Sequence, residues 1–117
     1  MIRTALALAA MLSAATAGLA HAADGAKLYQ LQCKTCHQAK STPMGPSLSG
    51  AAGRKIASLG DYAYSAALKA KGGTWTDANL DAYLAAPGKF APGGKMPAAM
   101  PAAADRAAVI AYLKTLK

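Results

Sequence analysis

The chain is almost without β-branched aliphatic residues. One Val and three Ile occur among its 117 residues, while apolar residues make up 54% of it. Most of that apolar fraction is alanine. Val and Ile supply the side chains that pack on a pleated surface, so a β-sheet core is excluded and helices remain. No repeat of 33–47 residues is visible, which removes a solenoid. One small domain fits the length.

Residues 1–22 read as a cleaved secretory signal. Arg3 forms a positive start, and an uncharged run from Thr4 to Ala20 follows. Ala20-His21-Ala22 then fits a small-x-small cleavage site. The run falls short of the ~20 residues a helix needs to span a bilayer, so a permanent membrane anchor is not expected. The mature domain is then 23–117, and export places it in the periplasm. It holds 12 Lys and Arg against 5 Asp, a net charge of +7, and His37 is its sole histidine. Such a charge suits nucleic acid, an anionic membrane or an acidic protein. Export argues against nucleic acid.

Four short helices joined by loops are expected. Asp24 and Gly25 offer a cap for a helix over Ala26–Cys33. Thr42–Gly53 is dense in Pro, Gly and Ser and reads as a loop. Asp61 is placed to cap a helix over Tyr62–Lys71, stopped by Gly72-Gly73. Thr76 caps the next helix, which carries Leu80, Tyr83 and Leu84, with Pro87 beyond its end. Phe90–Pro101 is irregular. A last helix over Ala103–Leu116 presents Val109, Tyr112, Leu113 and Leu116. Of the 95 residues from 23 onward, 23 are Ala and one is Phe. A domain this small buries little surface as it is. Its core lacks bulk, and something large is missing from the sequence.

Cys33-Lys34-Thr35-Cys36-His37 supplies the reason. C-x-x-C-H is the attachment pattern for a c-type haem. On helical geometry residues i, i+3 and i+4 share a face. Two thiols can therefore add to the two haem vinyl groups while the adjacent imidazole is aimed at the iron. A structural disulfide would explain neither His37 nor the thin core. A redox dithiol of the thioredoxin kind needs a βαβ context, and a structural zinc site needs four ligands where three are offered. Without a second histidine, the other axial ligand falls to a methionine. Met44 lies seven residues after His37, in the loop expected to cover the His side. Met96 and Met100 both lie where the chain can wrap to the opposite face.

These residues together resemble the class I c-type cytochromes, close to mitochondrial cytochrome c and its bacterial periplasmic relatives. Gly25 and Tyr29 match the first helix, Gly45-Pro46-Ser47-Leu48 the family's G-P-x-L, and Gly53-Arg54-Lys55 its G-R-K. Tyr64 and Lys71-Gly72-Gly73-Thr74-Trp75 are similar to its tyrosine and K-G-x-x-W, and Tyr83-Leu84 to its Y-L. Pro92-Gly93-Gly94-Lys95-Met96 is similar to P-G-T-K-M. The resemblance implies an all-α cytochrome c fold around one haem c, covalent through Cys33 and Cys36. It also implies His37 and Met96 as iron ligands. It assigns Pro46 to the other imidazole nitrogen, Arg54, Tyr64 and Trp75 to the propionates, and Tyr83 to the Met sulfur. Gly94 stands for the family's threonine, Leu68 for an asparagine, and Ala98 for an aromatic at the haem edge.

The implied function is one-electron transfer without enzymatic turnover, by a monomer. The implied partners are acidic-surfaced redox proteins: respiratory or photosynthetic membrane complexes and periplasmic dehydrogenases. Lys34, Lys40, Lys89 and Lys95 are the expected docking rim. The alternatives are a haem subunit of a periplasmic dehydrogenase, or a five-coordinate haem binding a gas or peroxide.

Overall fold

A computed structural model describes residues 24–117. The expected leader at 1–22 lies outside the described residues. Five helices follow one another: α1 (Gly25–Gln32), α2 (Ala66–Lys71), α3 (Asp77–Ala85), α4 (Pro87–Phe90) and α5 (Ala103–Leu113). Among the described residues there is no strand, only the isolated bridges Thr42–Gly45 and Lys55–Thr74.

The first and third helices start where their caps predict. The Asp24 carboxylate accepts from Lys27 N–H at 3.2 Å, and the Thr76 hydroxyl accepts from Asn79 N–H at 3.1 Å. Each satisfies an amide that a helix start leaves without a partner.

The second helix departs from expectation. It begins at Ala66, capped by Ser65, whose hydroxyl accepts from Leu68 N–H at 3.3 Å. Asp61 caps nothing. Tyr62 and Tyr64 instead form an edge-to-face pair with centroids 4.9 Å apart. Pro87 lies past the end of α3, as expected, and also opens the single turn α4, which was not expected. Proline suits a first helical position because the amide it lacks is unpaired there anyway. The last helix stops at Leu113 rather than Leu116. Thr115 and Leu116 donate three residues back, and Gly50 N–H takes the Leu116 carbonyl at 2.7 Å.

The crossing of α1 and α5 closes the fold. Gly25 sits so near α5 that a Cβ there would lie 2.1 Å from the Ala108 carbonyl oxygen. Tyr29 packs on Tyr112 at 5.2 Å between centroids. The buried cluster joins Ile56, Leu68, Trp75, Leu80, Leu84, Met100, Val109, Ile110 and Leu113. Salt bridges of 2.7 Å, Arg106–Asp81 and Lys114–Asp77, tie α5 to α3. No helix among the described residues is long and apolar enough to cross a membrane.

Candidate haem site

A cleft of about 160 Å³ opens against the core. Cys33, Cys36 and His37 line it from the turns after α1, and Pro46 and Leu48 from the following loop. Arg54, Tyr62, Tyr64, Leu68, Trp75, Tyr83 and Met96 also line it. Every residue assigned to the site from sequence thus reaches one cavity.

The histidine is fixed by its backbone neighbours. His37 Nδ1 lies 2.8 Å from the Pro46 carbonyl oxygen. A carbonyl can only accept, so Nδ1 carries the proton and Nε2 presents its lone pair. Such a contact sets both tautomer and ring orientation of a ligating histidine. Gly45 makes it geometrically feasible. A Cβ there would stand 2.7 Å from Cys36 O and 3.1 Å from His37 Nδ1. The Tyr29 hydroxyl donates to the His37 carbonyl oxygen at 3.4 Å.

Both cysteines are free and half-buried. Burial pushes the Cys33 thiol above its ordinary range, so it stays neutral at pH 7. That is unlike the lowered thiol of a redox dithiol.

Arg54 donates Nη1 to Ser49 O at 3.0 Å and Nη2 to Ser47 O at 3.2 Å. Its Nε is buried without a partner. A buried guanidinium N–H left without a partner calls for an acceptor, and an anionic one would pair with it most strongly. Tyr64 O accepts from Leu59 N–H at 3.4 Å, which leaves the hydroxyl hydrogen free to donate. Trp75, buried, packs in a three-ring cluster with Tyr83 at 5.1 Å and Phe90 at 5.8 Å, and these two meet edge to face at 5.5 Å. Burial raises the Tyr83 phenol above the usual value, with Tyr62 adding to it. The arrangement fits haem c: two thiols and an imidazole at one side, apolar walls, and an unpaired guanidinium N–H for a propionate.

The three methionines are separated by their surroundings. Met96 lines the cleft and is half-buried. Met100 does not line it; its side chain is 6% exposed, within the core. Met44 touches the cleft but is 62% exposed, and its loop lies on the His37 side. Sequence reasoning missed Tyr62, which lines the cleft two residues before Tyr64. It also missed that Lys95, expected only at the docking rim, lines the cleft, its ammonium donating to Ala63 O and lying 5.7 Å over the Tyr62 ring. The former had a local signal in its spacing from Tyr64; the latter joins segments 32 residues apart and had none.

Residues 22–117 match the family model for cytochrome c. A curated relative, cytochrome c2 iso-1 of Magnetospirillum molischianum, is 53% identical over 91 residues, covering 74% of this chain and 91% of its own. A second, a cytochrome c-type cyt cy of Rhodobacter capsulatus, is 44% identical over 94 residues; the match covers 79% of this chain and 47% of that longer one. Among solved structures, cytochrome cH from Methylobacterium extorquens superposes with a TM-score of 0.73 at 41% identity, over 80% of this chain and 97% of that one. The chain belongs to the cytochrome c family. Its cofactor is haem c, held covalently through Cys33 and Cys36, and the activity this family supports is electron transfer.

Proposed function

We propose that this chain is a periplasmic electron carrier, exported by residues 1–22, with His37 and Met96 as the axial ligands of its iron. The observation that carries the reading is the partition of the methionines: Met96 faces the cleft that holds Cys33, Cys36 and His37, and Met100 is in the core. The haem, when bound, supplies an iron that takes up and returns one electron. His37 is held for ligation by its Nδ1–H bond to Pro46 O, which leaves Nε2 free. The Met96 thioether is a soft donor that favours the reduced state and so raises the potential. With His37 and Met96 both holding the iron, the haem would supply electron transfer rather than a place for a substrate, and the chain would act as a carrier. Arg54 Nε, Tyr64 O–H and the Trp75 indole N–H offer donors to the propionates.

The partners proposed are acidic-surfaced redox proteins. Lys34, Lys40, Lys89 and Lys95 are all exposed, although the Lys95 ammonium is also engaged with Ala63 O. In oxidised protein, Met96→Ala abolishes the Met-to-iron absorption at the red end of the spectrum and Met100→Ala retains it. The reverse result would transfer the ligand to Met100.

A further inference from the structure

We propose that Arg106, ten residues after Met96, is a positioning residue that keeps Met96 in the haem site by anchoring the backbone of Met100 and Pro101. This rests on the reading of Met96 as a ligand.

The segment carrying Met96 has unequal ends. Upstream lie Pro92, Gly93 and Gly94; Gly93 sits at φ +79°, and Gly94 N–H turns back to Ala91 O at 3.0 Å. Glycines at a turn yield easily and hold a neighbour poorly. Downstream the chain is stiff. Met96 and Met100 each precede a proline, which confines both to extended backbone and fixes φ at Pro97 and Pro101. Only Pro97, Ala98 and Ala99 separate the two methionines. A displacement at Met100 is therefore passed to Met96 rather than absorbed.

Three groups hold Met100 in place. Its N–H donates to Leu84 O at 2.7 Å, using a carbonyl left over near the end of α3. Its side chain is core. Its carbonyl oxygen and that of Pro101 each accept from Arg106 Nη1 at 2.9 Å. The same guanidinium donates Nε to Asp81 at 2.7 Å, and the Arg106 side chain is 13% exposed. One planar fork thus joins α5, α3 and the ligand segment. A lysine cannot reproduce that geometry, because an ammonium is a point charge without the fork.

The other α5–α3 salt bridge is a built-in control. Lys114–Asp77 has the same length and joins the same helices, but Lys114 makes no contact with the ligand segment. Lys114 is 50% exposed against 13% for Arg106, so the two variants are compared by imidazole affinity relative to any loss of thermal stability: a purely structural Arg106 would lower stability without a gain in imidazole affinity.

The experiment titrates oxidised holoprotein with imidazole, which competes with Met96 for the iron, and follows the Met-to-iron absorption. Arg106→Ala retains the band without imidazole but binds imidazole at least roughly tenfold more tightly, since the bonds from Nη1 to both Met100 O and Pro101 O are lost. Arg106→Lys falls between wild type and alanine. Lys114→Ala leaves imidazole affinity unchanged even where it lowers thermal stability. Should Arg106→Ala fail to fold, Asp81→Ala, which removes the acceptor of Nε alone, carries the test and shifts affinity in the same direction. Equal shifts in the Arg106 and Lys114 variants, or no shift in either, overturn the proposal. Loss of the band in Met96→Ala with unchanged imidazole binding in Arg106→Ala overturns this proposal alone. Retention of the band in Met96→Ala overturns the ligand assignment beneath it.

Discussion

Gly25→Ala isolates the contact on which the fold closes. The added Cβ would lie 2.1 Å from Ala108 O, 2.8 Å from Ala108 C and 3.1 Å from Tyr112 Cβ. The first two are backbone atoms of α5 and cannot rotate away. Ordinary contact begins at 3.4 Å, so the helices must part by about 1 Å, a gap that forfeits a quarter to a half of the dispersion attraction across the interface. Overpacking of this kind costs about 1–3 kcal/mol. Against it stands the gain from replacing glycine within a helix, about 0.5–1 kcal/mol, and smaller at a first helical position. For a domain of this size each kcal/mol moves the melting temperature by about 4–8 °C. The holoprotein melt, followed by helical circular dichroism, should therefore fall by roughly 5–20 °C. Gly60→Ala is the matched control: nothing lies within 4 Å of its Cβ position and its φ is not in the left-handed region. It should be neutral or slightly stabilising. A Gly25→Ala melt within about 2 °C of wild type would refute the backbone-to-backbone crossing.

Cys33→Ala with Cys36→Ala should yield protein that carries no haem through a denaturing gel by peroxidase stain. Its circular dichroism should show a largely unfolded chain, because the core lacks the bulk to stand alone. Electron transfer to an acidic partner should slow steeply with added salt, since attraction between exposed charges is screened over ~10 Å at 0.1 M; rates independent of salt would favour an apolar contact. Burial raises the Tyr83 phenol above its ordinary value of 10.0. Below that value both folded and unfolded forms keep the proton, and Tyr83 adds no pH dependence. Above it the unfolded form ionises first, so stability falls as pH climbs toward the raised folded value. Tyr83→Phe should flatten that alkaline decline in denaturant titrations; an unchanged slope would assign it to other groups.

The sequence by itself determined the helical class, the covalent haem and the place along the chain of those cavity residues that belong to recognisable motifs. The reason is that these depend on local chemistry. Scarce β-branched residues, caps at Asp24 and Thr76, and C-x-x-C-H are all complete within a few positions. The few β-branched aliphatics described, Ile56, Val109 and Ile110, are all buried, as a thin core requires. The local rules failed at Asp61, and at Pro87 they placed the end of α3 but missed the turn that follows it. Each was one of two legitimate readings, and tertiary packing chose: Tyr62 and Tyr64 are used as an aromatic pair at the cleft, and Pro87 begins a turn whose Phe90 stacks on Trp75. Spacing alone left Met96 and Met100 open, because both lie in the same irregular segment; the family's P-G-T-K-M pattern favoured Met96. Only the tertiary structure separates them in space, since burial of Met100 depends on Leu84 and Arg106, which reach it from α3 and α5. Contacts between distant segments are set by how helices cross, and the close approach of Gly25 to Ala108 fixes that crossing.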